Sequence, residues 1–133
     1  MIILDNEKIH KYLAYLDGRA PGTELKAMAK LEELGVSIPN LLMKRYKVSR
    51  RWSDRALCVT HCMAYSKSNE DAYQLGIIAL QDRSRTVRRK ACMLLSVAQR
   101  QEAIKHLEKL LSDEALKGDA VAAIGALSKQ SRD

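Results

Sequence analysis

Two short stretches concentrate the positive charge of the chain: Lys44, Arg45, Lys47, Arg50, Arg51 and Arg55, then Arg83, Arg85, Arg88, Arg89 and Lys90. Guanidinium and ammonium groups at this density bind anions, whether the carboxylates of an acidic protein, the phosphates of a nucleic acid or a single oxyanion. Trp52 stands inside the first stretch and is the only tryptophan. The excess is not cancelled elsewhere. Lys and Arg total 23 against 16 Asp and Glu, giving a net charge of +7 and a pI near 9.5. Such a balance attracts acidic partners over long range and says nothing about fold.

Other residue types with chemical potential form no working constellation. Cys58, His61 and Cys62 fall within one helical segment, and Cys92 lies in another. A tetrahedral soft-metal site needs several thiolates or imidazoles converging on one point. His61 is three residues from Cys58 and one from Cys62, so the three cannot face the same way on a helix, and no Cys-x-x-Cys pair exists. The cysteines are expected to be buried, reduced and inert. His10 and His106 have no Ser or Cys nucleophile and orienting acid beside them. Gly18–Gly22 lacks the Lys-Ser/Thr ending of a phosphate-binding loop. The chain therefore reads as non-catalytic, with no metal and no cofactor.

The elements that must position the cations are all helices. Apolar residues recur at i, i+3, i+4 and i+7 through most of the 133 residues. A first helix starts near Asp5 or Asn6 with Ile9, Tyr12, Leu13 and Leu16 inward, and Gly18–Gly22 ends it. Thr23 caps a second, with Leu25, Met28, Leu31 and Leu34 inward and Gly35 as its stop. Pro39 opens a third. The fourth follows Ser49 or Ser53 and carries Trp52, Ala56, Val59 and Met63 on its inner stripe. Asn69 caps the fifth, burying Leu75, Ile78 and Ala79. Ser84 caps the sixth, burying Val87, Ala91, Leu94, Leu95 and Ala98. The seventh uses Ile104, Leu107, Leu110 and Leu111, and the eighth Ala120, Ala123, Ile124 and Leu127.

These helices pair, and the pairs repeat at a period of roughly 31 to 32 residues. The two clearest copies begin at Asp71 and Glu102, each with an apolar first helix, a Leu-x-Asp turn (Leu80–Asp82 and Leu111–Asp113) and an Ala-rich second helix. A period in the thirties made only of helices predicts an all-α chain: a short right-handed α-solenoid of about four antiparallel helix pairs. The units are about 5–35, 37–66, 69–98 and 101–129, in a single domain spanning 1–133.

Units three and four resemble HEAT-type repeats and the closely similar armadillo variants. The residues that carry the likeness are Leu80, Asp82, Val87, Arg88 and Ala91, and again Leu110, Leu111, Asp113, Ala122 and Ala123. The resemblance implies an interaction fold. It also implies that the turn Asp and the second-helix Arg form a ladder between repeats, assigning Asp82, Arg88 and Asp113 to structure. Gly118 and Asp119 replace the Val-Arg pair of the preceding unit, which fits a terminal repeat.

A shift of 35 residues aligns Trp52 with Val87, Arg55 with Lys90 and Ala56 with Ala91. On that register the two basic stretches merge into one ridge at helix N-termini, where the helix dipole disfavours cations. Several such violations together point to a bound anion. The competing reading is a solvated surface whose Arg stems cover apolar groups and pair with Asp54, Asp82 or Glu70. Trp52 is expected as a core anchor between helix pairs rather than as an exposed hot spot. The function that follows is a protein-interaction module, of scaffold or inhibitor type, binding an acidic partner surface through the ridge. The alternative is nucleic-acid binding through the phosphate backbone, distantly like the HEAT-like alkylation-repair glycosylases. No apolar run is long enough to cross a bilayer, and no secretory signal is visible, so the expected location is the cytoplasm. Nothing in the sequence sets an oligomeric state.

Overall fold

A short polar side chain, or its absence, decides how each helix begins, because the first turn leaves four N–H groups without intrahelical partners. The computed structural model describes residues 11–12, 23–35 and 37–130; for residues 23–25 and 130 only the backbone is described. The first expected helix, apart from Lys11 and Tyr12, lies outside the described residues. So do the Gly18–Gly22 loop, His10 and the side chains of Thr23 and Leu25.

Helix α1 (Thr23–Glu33) stops at Gly35, whose φ of +73° is a left-handed turn that a Cβ would strain. Helix α2 (Ile38–Val48) starts at Ser37, whose Oγ accepts from the Asn40 N–H at 3.4 Å, and Pro39 sits harmlessly in its first turn. Ser49 closes α2: its N–H and Oγ both donate to the Arg45 carbonyl, at 3.0 and 2.6 Å. Ser49 is thereby committed and does not cap α3 (Trp52–Cys62), and Ser53 falls inside that helix. The residue at the cap is Arg51, with no side-chain hydrogen bond.

A 3₁₀ turn (Met63–Tyr65) leads to α4 (Glu70–Ala79), which Asn69 caps through the Ala72 N–H at 3.0 Å. Glu70 and Asp71 in its first turn suit the helix dipole. Ser84 caps α5 (Arg85–Ala98) through the Val87 N–H at 3.4 Å. Then follow α6 (Ala103–Glu108), a 3₁₀ turn (Lys109–Ser112) and α7 (Lys117–Gln130). No strand occurs among the described residues, so the described chain is all-α.

The buried stripes follow from helical periodicity. Helix α2 buries Ile38, Leu42, Met43 and Tyr46; α5 buries Val87, Ala91, Cys92, Leu94, Leu95 and Ala98. Helix α5 is central, packing on α3, α4 and α7; α2 packs on α3 and α4, and α6 on α7. At the α4–α5 contact Gly76 has a structural reason. A Cβ there would lie 2.4 Å from Leu94 Cδ2 and 3.0 Å from Leu95 Cδ2. The Leu94 and Leu95 side chains fill the space that a Cβ would take.

Two inner positions differ from expectation. Ile78 is 41% exposed, because the stripe of α4 runs through Ala72, Leu75, Gly76 and Ala79. Ile78 lies about 100° round the helix from Ala79 and farther still from Gly76. Trp52 is 55% exposed. It is the first residue of α3, and one turn further in the place on the buried side is taken by Arg55.

Candidate functional site

Arg55 holds the two basic stretches together. Its side chain is buried, and so is that of its partner Asp82, in the turn after α4. Arg55 Nε donates to Asp82 Oδ2 at 2.8 Å and Nη2 to Oδ1 at 3.1 Å, a two-point pairing of guanidinium with carboxylate. Tyr46 Oη donates to the same Oδ2 at 2.5 Å, and the Ser84 N–H to Oδ1 at 2.8 Å. The remaining nitrogen of Arg55 turns the other way. Nη1 donates to the carbonyls of Arg50 at 2.8 Å and Ser49 at 3.3 Å. One side chain therefore ties the α2–α3 turn to the α4–α5 turn.

Burial alone would raise the Asp82 carboxyl. The hydrogen bonds from Arg55, Tyr46 and the Ser84 N–H outweigh it and hold the group below the usual carboxylate range. The same bond raises Arg55 above the usual guanidinium value, and burial followed by the Asp82 bond raises Tyr46. At neutral pH the site is a fixed cation, a fixed anion and a neutral phenol. Its charges cancel internally. Arg55 thus leaves the ridge on which the sequence placed it.

Arg83 Nη2 reaches across to the Arg50 carbonyl at 3.4 Å. Together these residues border a shallow groove of about 400 Å³, lined by Tyr46, Lys47, Ser49, Arg55, Asp82 and Arg83. Of the basic residues the sequence singled out, Lys47, Arg55 and Arg83 meet at this groove; Lys44, Arg45, Arg50, Arg51, Arg85, Arg88, Arg89 and Lys90 do not line it. Lys44, Lys47, Arg50, Arg51, Arg83, Arg85 and Arg89 are exposed, whereas Arg45, Arg88 and Lys90 are half-buried.

Two more of the cations are held by carboxylates. Arg88 Nη2 lies 3.6 Å from Asp113 while its Nη1 donates to the Asp82 carbonyl at 2.7 Å, and Arg89 Nε lies 3.4 Å from Asp119. Arg88–Asp113 and Arg55–Asp82 are thus two contacts of one kind, each joining an arginine to an aspartate later in the chain, and the shift of 35 concealed the second. Helices α3 and α5 begin at Trp52 and Arg85, 33 positions apart. That spacing matches Arg55 with Arg88 and not with Lys90. The signal was present in the sequence: each Leu-x-Asp turn has an arginine in the second helix of the pair before it.

Glu70, which the sequence offered as a partner for the cluster, pairs instead with Arg100, whose guanidinium also stacks 4.3 Å from the Tyr73 ring. Among the described residues, Lys44, Lys47, Arg50, Arg51, Arg83, Arg85 and Lys90 have no carboxylate within ion-pair distance. Beside them stand two exposed apolar side chains, Val48 at 80% and Trp52 at 55%. Sequence reasoning did not select Val48. It is the last residue of α2, where the amphipathic pattern has run out.

The cysteines are shielded from solvent. Cys58, Cys62 and Cys92 are free and buried, and burial pushes their thiols up to about 12, 12 and 11. Burial, with Lys105 and Lys109 nearby, lowers His106. Among the described residues no group of three His, Cys, Asp or Glu could hold a metal ion, and no helix is long and apolar enough to cross a membrane. No known protein family matches the chain, and no curated protein matches it at a significant level.

Proposed function

We propose that this chain is a non-catalytic interaction module that binds an acidic partner protein through the cations of the α2–α3 and α4–α5 turns. One observation carries the reading. Arg83 donates to the Arg50 carbonyl and Arg55 pairs with Asp82, so the two turns that carry the cations are tied together, and neither Arg50 nor Arg83 has a carboxylate partner among the described residues. An array of like charges held at fixed spacing is unfavourable in the free protein and is relieved by an anionic surface. The helix pairs are, in this reading, units of a right-handed HEAT-like solenoid. It is supported by the packing of α3 on α5, α5 on α7 and α2 on α4, and by the recurrence of the Arg–Asp contact. Three reduced cysteines suit a cytoplasmic setting.

The test is charge reversal at residues with no carboxylate partner among the described residues. Arg50→Glu, Arg83→Glu and Arg85→Glu together should abolish capture of an acidic partner while helicity by circular dichroism stays unchanged. Retained capture would reject the surface. Exposed Trp52 beside the same cations also favours a second reading, nucleic-acid binding with a base stacked on the indole. Affinity for DNA would then fall with a log–log salt slope of about −0.9 per neutralised phosphate on a duplex. Absence of any gel shift at low salt would eliminate it.

A further inference from the structure

The chemistry of the partner segment can be taken further from the apolar groups at this surface. Among the described residues Val48 and Trp52 are the two most exposed of the large hydrophobic side chains, and they flank the α2–α3 turn, next to Lys47, Arg50 and Arg51. Single apolar residues scattered on a surface need no explanation, but a tryptophan and a valine inside a basic cluster do. Tryptophan and arginine are the residues most enriched at the energetic centres of protein interfaces, where an apolar contact excludes water and strengthens the charged pairs around it.

Resting on the reading above, we propose that the partner presents an acidic segment carrying one bulky apolar side chain, which packs on Trp52 and Val48 while flanking carboxylates meet Lys47, Arg50 and Arg83. One feature favours this over a single nucleic-acid strand. Strand-binding surfaces stack successive bases on several aromatic rings, and Trp52 is the only exposed large aromatic among the described residues.

Trp52 is the only tryptophan, so the intrinsic fluorescence of the full chain reports on this surface without a label. Three labelled probes of equal net charge serve: a short all-glutamate peptide, a peptide with one leucine flanked by glutamates, and an oligothymidylate. Each is titrated by its own anisotropy and by Trp52 emission with acrylamide quenching. The leucine peptide should bind about tenfold more tightly than the all-glutamate peptide, shift Trp52 emission to the blue and shield it from acrylamide. Trp52→Ala should erase that tenfold difference and leave all-glutamate binding in place, whereas Trp52→Phe should keep most of the difference.

Equal affinity of the two peptides, with unshifted emission, overturns this inference and leaves the anion-binding reading standing. Failure of both peptides to bind overturns the reading and the inference together. Tighter binding of oligothymidylate than of either peptide, with Trp52 quenched, overturns both in favour of nucleic acid.

Discussion

Replacing Asp82 by alanine removes the acceptor for Arg55, Tyr46 and the Ser84 N–H in one step. Arg55 and Asp82 are 6% and 9% exposed, so the guanidinium left behind is poorly solvated. Breaking a buried pair by deleting one partner costs about 3–5 kcal/mol, most of it the uncompensated charge left behind. Arg55 keeps two carbonyl acceptors, on Ser49 and Arg50, which limits the loss. The stranded Tyr46 hydroxyl adds to it. An expected destabilisation of about 4 kcal/mol follows, a large share of the roughly 5–15 kcal/mol that holds a domain together.

Arg55→Met should cost about 3 kcal/mol, because Asp82 keeps its bonds from Tyr46 and Ser84. The double variant should be less destabilised than the sum by about 2–3 kcal/mol, since no charge is then buried alone. Urea unfolding of the four proteins, with constant m-values, measures the cycle. Additivity within about 0.5 kcal/mol would refute the claim that these two groups act as one unit. So would an Asp82→Ala cost below about 1 kcal/mol.

Four further expectations follow from the same structure. Because Asp82 is held below its unfolded carboxylate value, its contribution is complete above about pH 4 and is lost as pH falls through the folded value; urea midpoints measured against pH should show this acid limb, and Asp82→Asn should lack it. Tyr46 is raised, so its share is complete below about pH 10 and fades as pH climbs through the folded value, which Tyr46→Phe should remove. Gly76→Ala gains about 1 kcal/mol of helix propensity but drives a methyl into Leu94 and Leu95, an overpacking cost of about 1–3 kcal/mol; the net result should be a lower melting temperature, and a higher one would show that α4 can move away from α5. Gln99 ends α5 with φ +60°, so Gln99→Gly should stabilise by up to about 1 kcal/mol in thermal unfolding, where no gain would mean its side chain offsets the left-handed backbone.

Helix periodicity and caps were the most legible features of the sequence. Ser84, Asn69, Pro39 and Gly35 act locally, through hydrogen bonds and dihedrals their own side chains determine, and each stands where the sequence placed it. Trp52, Ile78 and Arg55 show where local reasoning fails. Whether a residue at the edge of a stripe points in or out depends on which neighbouring helix covers it, and that is set by the register between pairs. Matching Arg55 with Lys90 placed it on an open surface, whereas it is buried against Asp82. That matching also hid the tie that positions Arg50 and Arg83. Val48 was invisible for a related reason: an apolar residue at a helix end looks like core until the next helix is seen to turn away.

The two Arg–Asp contacts are not equal partners. Arg55–Asp82 is sealed, with side chains 8% and 4% exposed, while Arg88–Asp113 is partly wetted at 21% and 34% and its distance stretches to 3.6 Å. The final helix pair is therefore fastened to its neighbour by the weaker buckle, and its opening helix is only 6 residues long before tightening to 3₁₀. The protein should melt in a direction, peeling from α6 and α7 before α2 to α5 let go. Amide exchange would register this as a step in protection between Ala98 and Ala103, and a single uniform opening free energy across that boundary would show the pairs to be fused into one cooperative block. A surface built on the tightly fastened end would then keep its shape while the far end breathes.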